Sequence, residues 1–347
     1  MNDLIDNLLG ELKSISSSHP YVVVNLMHEI MRLTYPEDPY VYSNSGIDNS
    51  GEHQSDRLEF AINNAIKTIS CYKNIGSYNI NFEEKKYSLD IKDDVGSVYG
   101  LAWKDNDAEF MVNEAKDIII ERFNNNNIDL SNIVGKKVLD LGCGSGRYTC
   151  ALALLGAGHV TGVDYGDEGL QKGRSLSDKF GLSIDFQKQN ILDLSFDTDS
   201  FDFVFCNGVT HHTEDIIKAT SEIYRVLKPS GSAWYYIYGS GGYAWRIIKE
   251  FNSLMKNVNI PKEYAHNLLE MIGMPENRHI FIDHLYAPIL TLTSKKEFET
   301  MLNTTGFSDF RRCFNGRSTD ADYLVETGSD RDRELWGDAE LRYFVIK

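Results

Sequence analysis

The stretch VLDLGCGSGRYT, residues 138–149, decides how the rest of this chain is organised. Its first four residues form a short apolar run that is typical of a strand buried in a parallel sheet. Glycines follow at Gly142, Gly144 and Gly146, and a helical pattern begins at Arg147. Glycine lets a ligand lie against bare backbone where the turn needs a positive φ, and a helix N-terminus adds free N–H groups and partial positive charge. The stretch therefore predicts a strand, a turn and a helix that together hold the polar end of a cofactor.

The spacing of these glycines distinguishes between two types of cofactor site. Counted from Gly142, the dinucleotide fingerprint GxGxxG requires a glycine at position 147, where the chain has Arg147. The observed spacing, GxGxG, argues against a nicotinamide dinucleotide. A purely structural turn is the other alternative, and three alternating glycines behind an apolar strand disfavour it.

Length and charge narrow the class of partner. The chain has 347 residues and a formal net charge of −16, which is enough length for one large domain or two small ones. The charge is uneven, because residues 1–130 hold 22 Asp and Glu against 11 Lys and Arg. Such a surface repels a polyphosphate backbone, so we expect no nucleic-acid partner.

Cysteine usage and hydropathy bear on the compartment. The five cysteines include no CxxC pair, so the sequence indicates neither a zinc site nor a disulfide framework. The first residues, MNDLIDNLLGELK, are acidic where a signal peptide needs basic residues. No apolar run is long enough to cross a bilayer. We therefore expect a cytoplasmic protein that does not associate with a membrane.

Beyond residue 136 the hydrophobic pattern alternates between strand and helix. Strands are predicted near 137–141, 159–163, 184–188, 202–206 and 232–238, and helices near 146–156, 167–180 and 214–227. A further helix near 294–305 and strands near 308–314 and 341–346 follow. This alternation predicts an α/β fold with a parallel sheet and right-handed crossovers.

Two regions lie outside this alternation. Residues 1–95 predict a separate helical segment without a catalytic signature, which we expect to be a dimer interface, a cap over the active site or a plain stabilising appendage. Residues 96–347 form the predicted catalytic domain. Within it, residues 239–292 predict a helical insertion beside the carboxyl ends of the strands, where open α/β sheets bind ligands. We expect this insertion to be a substrate lid.

Polar residues follow the next three predicted strands. Asp164 ends an apolar strand 22 residues after Gly142, where a carboxylate can accept both hydroxyls of a ribose. Asn190 and Ile191 follow the third strand and suit an adenine ring, and Asn207 ends the fourth strand. Together with the glycine turn, these motifs resemble those of the class I S-adenosylmethionine (SAM)-dependent methyltransferases. The likeness is greatest to the small-molecule branch, which includes ubiquinone and menaquinone methyltransferases.

The resemblance covers roughly residues 97–238 and implies a fold, a cofactor and a set of contacts. The implied fold is a Rossmann-like, doubly wound, mostly parallel seven-stranded sheet that ends in an antiparallel hairpin. The implied cofactor is SAM. Tyr99 and Trp103 stand where aromatic residues of many such proteins fold over the cofactor, although both could equally belong to the core. The expected cofactor-binding residues are Tyr99, Asp140, Gly142, Cys143, Gly144, Gly146, Asp164, Tyr165, Asn190, Ile191 and Asn207.

His211 and His212 are the main catalytic candidates. Histidine can lose its proton near neutral pH, so one of the pair can remove a proton from a hydroxyl acceptor. We expect His211 to be the base, while the alternative is a pair that only packs or caps a helix. His279 and His284, in the insertion, are weaker candidates.

The sequence also bears on metal binding and on the type of acceptor. The fourth strand ends in Cys206 and Asn207, without the carboxylates that magnesium needs, so we expect no metal. The expected function is transfer of a methyl group from SAM to a small-molecule acceptor, with oxygen as the first choice of acceptor atom. One alternative is an RNA or protein methyltransferase. Another is a SAM- or nucleoside-binding module without turnover whose N-terminal helices contact a partner. Separately, the expected partners include a second copy of the chain, in a homodimer formed through the N-terminal helices.

Overall fold

The computed structural model describes residues 1–34, 54–73, 108–256, 264, 283–316 and 320–347. Its helices are α1 Asn2–Ile15, α2 Pro20–Thr34, α3 Gln54–Lys73, α4 Ala108–Asn125, α5 Arg147–Leu154, α6 Asp167–Lys179, α7 Ile216–Val226, α8 Gly242–Met255, α9 Lys295–Thr305, α10 Ala321–Thr327 and α11 Asp330–Trp336. Its strands are β1 Lys137–Leu141, β2 His159–Asp164, β3 Ile184–Lys188, β4 Phe201–Asn207, β5 Leu227–Tyr238, β6 Asp309–Arg312 and β7 Glu340–Ile346.

Seven strands of the described residues form one sheet, in the order β3-β2-β1-β4-β5-β7-β6. The strands from β3 to β5 run parallel, and β7 is antiparallel to both of its neighbours. This arrangement confirms the predicted doubly wound, mostly parallel sheet with a final antiparallel hairpin. The reversal of strand order beside β1 places the glycine turn at the edge where open α/β sheets bind ligands.

One predicted boundary was wrong. The sequence predicts the fifth strand near residues 232–238, yet β5 already begins at Leu227. The pairing of β4 with β5 shifts register between Phe201 and Phe203, and Ser230 has a φ of 62°. The strand is therefore longer than predicted and contains an irregular segment before residue 232.

Helices cover both faces of the sheet. One face of β5, with Tyr235 and Ile237, packs in a core that also contains Ile223 of α7 and Phe298 of α9. The opposite face contributes Trp234 to a second core with α4 and α5. Because alternate residues of a strand face opposite sides, a single strand supplies both layers.

The N-terminal helices pack on the insertion. The same buried apolar cluster includes residues of α1, α2 and α3 together with residues of α8 and α11. Ile5, Leu8 and Leu12 of α1 are fully buried there. Ion pairs join Arg246 of α8 to Asp6 and Arg331 of α11 to Asp56. The sequence did not predict α10 or α11, since their short patterns lie between the last two strands.

Within the described part of the chain, every helix is too short or too polar to cross a bilayer.

Candidate functional site

The three glycines of the turn after β1 have different structural roles. A side chain at Gly142 would overlap that of Val209, and a Cβ at Gly146 would lie 2.7 Å from Cα of Gly173 in α6. Glycine is therefore required at both positions, because a side chain would overlap its neighbours. Gly144 has a φ of 50°, and a Cβ placed there would have no heavy atom within 4 Å. The backbone at Gly144 borders open space, as expected for a turn that a cofactor lies against.

Asp164, at the end of β2, lies across this turn. Its carboxylate accepts hydrogen bonds from the backbone N–H groups of Gly144 and Gly166, each at 2.8 Å. Burial raises the pKa of Asp164, while these two N–H groups act in the opposite direction. Each oxygen retains capacity for a further donor, because a carboxylate can accept about four hydrogen bonds. The residue is thus fixed in orientation and able to accept ribose hydroxyls.

Asp140 and Cys143 lie beneath the turn. Asp140 is 3% exposed and accepts a hydrogen bond of 2.6 Å from the Thr149 hydroxyl of α5. Burial raises the pKa of Asp140 to about 7. The side chain of Cys143 packs with Leu170 and Phe186, and burial raises the pKa of its thiol. The side chains of Asp140 and Cys143 thus point into the protein and pack under the loop. The atoms that the loop exposes to a ligand are therefore backbone atoms.

The residues expected near the adenine follow β2 and β3, which are neighbouring parallel strands. Tyr165 is 37% exposed, and the Lys188 ammonium lies 5.6 Å from the centre of its ring. The Asn190 side chain accepts a hydrogen bond from the N–H of Leu192, and Ile191 is 8% exposed. Tyr99, Trp103 and His279, also named from the sequence, lie outside the described residues.

Asn207 lies at the end of β4, beside this edge. Its side-chain oxygen accepts a hydrogen bond of 3.0 Å from the indole N–H of Trp234. This bond fixes the orientation of the amide and leaves its NH₂ group as the donor. Gly208, which follows, adopts a φ of 81°, and a Cβ there would lie 3.2 Å from the ring of Tyr236.

His211 is fully buried in a short 3₁₀ turn at residues 210–212. Its ring centre lies 3.9 Å from that of Tyr238 and 6.2 Å from that of Tyr236. Neither ring nitrogen has a hydrogen-bond partner among the described residues. Burial, together with the neighbouring His212, lowers the pKa of His211 well below its usual value. The lowered pKa favours the neutral imidazole, whose unprotonated nitrogen can accept a proton.

His212 has the opposite environment. Its Nδ1 lies 2.8 Å from the carbonyl oxygen of Ile289, and its Nε2 lies 3.1 Å from Oδ1 of Asp283. Burial lowers the pKa of His212, but the Asp283 carboxylate more than compensates, so the pKa is raised overall. The structure brings both predicted histidines to one place, with ring centres 4.1 Å apart, and gives them different surroundings.

Two residues that contact the histidine pair, Tyr238 and Asp283, were not predicted from the sequence. Tyr238 ends β5 and donates its hydroxyl proton to Asp283. Asp283 is the first residue of the described range 283–316, and His284 follows it. Burial lowers the pKa of His284 to about 4. The dipeptide Asp283-His284 was the available signal, since an acidic residue beside a candidate histidine can pair with another histidine.

The described residues contain no group of three His, Cys, Asp or Glu side chains that is suited to a metal ion. Metal independence of the reaction stays a prediction.

Comparison with known proteins gives a family match and several similar proteins. Residues 139–235 match the protein family described as "Methyltransferase domain". The chain is 35% identical over 97 residues to the methyltransferase phqN of Penicillium fellutanum, a match that covers 27% of this chain and 30% of that protein. It is 32% identical over 120 residues to the sterol 24-C-methyltransferase of Pneumocystis carinii, covering 34% of this chain and 30% of that protein.

A longer match is to the ubiquinone biosynthesis O-methyltransferase of Coxiella burnetii, with 28% identity over 172 residues. It covers 50% of this chain and 67% of that protein. The chain spans about 30% of the length of the Penicillium and Pneumocystis proteins. The family match, residues 139–235, runs from within β1 to within β5 and contains the glycine turn.

Proposed function

We propose that this chain is a class I SAM-dependent methyltransferase and that it methylates a small-molecule acceptor. Residues 139–235 match a methyltransferase domain, which supports this proposal. The observation that carries the proposal is His211, a fully buried histidine whose two ring nitrogens have no hydrogen-bond partner among the residues that the structure describes. Val209, two residues before it, packs directly on Gly142 of the cofactor turn. A base and a cofactor site therefore share one edge of the sheet.

The described residues fit SAM. The open space beside Gly144 accommodates the cofactor against bare backbone, and the oriented carboxylate of Asp164 would hold the ribose hydroxyls. Tyr165, Asn190 and Ile191 would surround the adenine ring. When bound, SAM supplies an electrophilic methyl group on its sulfonium. The protein's contribution is to align the acceptor, which alone can account for several orders of magnitude in rate.

His211 acts as the general base. A hydroxyl acceptor loses its proton to a ring nitrogen of His211, and a neutral histidine is the form that can receive it. Oxygen is our first choice of acceptor atom, although carbon is the alternative suggested by the sterol C-methyltransferase among the relatives. The buried aromatic residues around His211 favour an acceptor with an apolar body over a polymer.

The N-terminal helices form a cap over the catalytic end of the sheet. Their apolar faces pack on α8, the first helix of the insertion, and on α11 within the same chain. A homodimer is not needed to bury these faces, which favours a cap over the dimer interface. The insertion would then act as a lid, and the cap packs on its described parts, residues 239–256 and 283–292.

The test is to follow the methyl label. The purified protein is incubated with methyl-labelled SAM and a complete extract, with and without a chelator, and the label is then measured in the small-molecule, protein and RNA fractions. We expect label in the small-molecule fraction, with the same yield when the chelator is present. Label confined to RNA or protein would establish the rival substrate class, and binding of SAM without any transfer would establish the non-catalytic module.

A further inference from the structure

We propose that Asp283, Tyr238 and His212 form a positioning unit through which the insertion holds His212 as a fixed cation and leaves His211 as the base. This inference rests on the proposed function. It assigns the two adjacent histidines different roles, and it makes Asp283 of the insertion a residue that controls the reaction without touching the acceptor.

The charge of His212 follows from its partners. A carbonyl oxygen can only accept, so Nδ1 of His212 must carry the proton that bonds to Ile289. Nε2 faces Oδ1 of Asp283 at 3.1 Å. The other oxygen of Asp283 accepts the hydroxyl proton of Tyr238, and two donors on one carboxylate stabilise its ionised form. The pKa of Asp283 is lowered despite its burial. His212 therefore carries protons on both nitrogens and has no lone pair with which to accept another.

The cation determines the state of its neighbour. The ring centres of His211 and His212 are 4.1 Å apart, and a second positive charge at that distance in a buried site is strongly disfavoured. The described titratable groups that face His212 are His211, Asp283, Tyr238 and His284. Two titratable groups whose surroundings drive their pKa values apart are a recurring arrangement for acid–base chemistry. Here the arrangement keeps His211 neutral.

Backbone contacts hold the same segment in place. The N–H of Thr291 donates to the carbonyl of His211 at 2.9 Å, and the N–H of Thr293 donates to that of Tyr238 at 3.3 Å. The side chain of Asn252 in α8 donates to the carbonyl of Ala287 at 2.9 Å. Residues 287–293 are thus bonded to the 3₁₀ turn, to β5 and to α8. The position of the nearby Asp283 therefore does not depend on its contact with His212 alone.

The test uses Asp283→Asn, which keeps the shape of the side chain and removes its charge. Nitrogen-15 NMR of the histidine rings, in the SAM-bound protein, reports the charge of each imidazole. In the unaltered protein we expect His212 to be doubly protonated and His211 neutral at pH 7.5. In Asp283→Asn we expect His212 to lose its charge, and kcat to fall about tenfold to a hundredfold while the affinity for SAM stays unchanged. The pH profile of kcat should also move, which a purely structural defect would not cause.

Tyr238→Phe removes only the hydroxyl donor and should shift the His212 pKa and kcat in the same direction by less. Tyr238→Phe serves as the test if Asp283→Asn does not fold. The matched control is Asp185→Asn, at an exposed position of β3. A neutral His212 in the unaltered protein at pH 7.5 would overturn the inference, as would an unchanged kcat in both folded variants. If no acceptor is turned over at all, the proposed function fails, while the NMR spectrum still decides the charge of His212.

Discussion

The candidate site has two halves: a cofactor side, made of the glycine turn and Asp164, and a proposed catalytic side, made of His211, His212 and Asp283. The contacts that build these halves differ in their range along the chain. On the cofactor side, Asp164 bonds to a residue 20 positions away and Thr149 to one 9 positions away. On the catalytic side, His212 bonds to Ile289, which is 77 positions away. The cofactor side is a local motif, whereas the catalytic side exists only when the insertion packs on the sheet. A local motif can therefore be shared among many relatives while the acceptor site differs from one to the next.

The largest expected effect lies on the catalytic side. His211→Ala removes the proposed base, and general-base catalysis typically contributes about 10²–10⁴-fold, so kcat should fall by that factor. Because the cofactor side is built separately, calorimetry should give a SAM affinity close to that of the unaltered protein. His159→Ala, on the exposed start of β2, is the control and should change neither quantity. A tenfold or smaller loss of kcat in a folded His211→Ala protein would show that another group takes the proton.

The next effect tests the cofactor side in the same way. Asp164→Ala removes an acceptor from enclosed ribose hydroxyls, at a cost of about 1–3 kcal/mol. The affinity for SAM should fall roughly tenfold to a hundredfold by calorimetry. Asp185→Ala on β3 is the matched control, and the melting temperature checks the fold of both variants. Unchanged SAM affinity in folded Asp164→Ala would refute the assignment of the ribose site.

A third comparison separates binding from folding within the glycine turn. Gly144 and Gly181 both have positive φ, of 50° and 63°, and both face open space. Alanine at either position should cost about 1–2 kcal/mol of stability because of its left-handed backbone. Only Gly144→Ala should weaken SAM binding, by roughly tenfold or about 1.4 kcal/mol, because its methyl group enters the cofactor space. Equal SAM affinities in the two variants would mean that the ligand does not lie against Gly144.

The smallest effect is a pH dependence of stability. The pKa of Asp140 is raised to about 7, above the value of about 3.9 in an unfolded chain. The protonated carboxyl group thus favours the folded state, and this contribution is lost as the pH rises through 7. Between pH 6 and pH 8 the loss is about 1.4 kcal/mol, and Asp140→Asn should lack it. Urea unfolding without cofactor, at both pH values, measures the difference, and parallel pH dependences in the two proteins would contradict it.

The sequence predicted most of the cofactor side because its signals are short-range. Spaced glycines, a carboxylate at a strand end and the strand–helix alternation each depend on residues close together in the chain. The same signals located His211 and His212, yet their spacing could not tell which of them has a carboxylate partner. That difference arises from Asp283 and Ile289. Both lie too far along the chain from the histidines for any sequence periodicity to connect them. The helices α10 and α11 were missed for a related reason, since each spans only seven residues.

The packing of the N-terminal helices on α11 also constrains how the protein is made. Helices α1 to α3 are synthesised before α11, yet their apolar faces are covered partly by residues 330–336. Domains tend to fold as units during synthesis, and exposed apolar surface makes incomplete chains prone to aggregate. Chains truncated before residue 330 are thus expected to expose apolar surface on α1 to α3 that α11 covers in the folded protein.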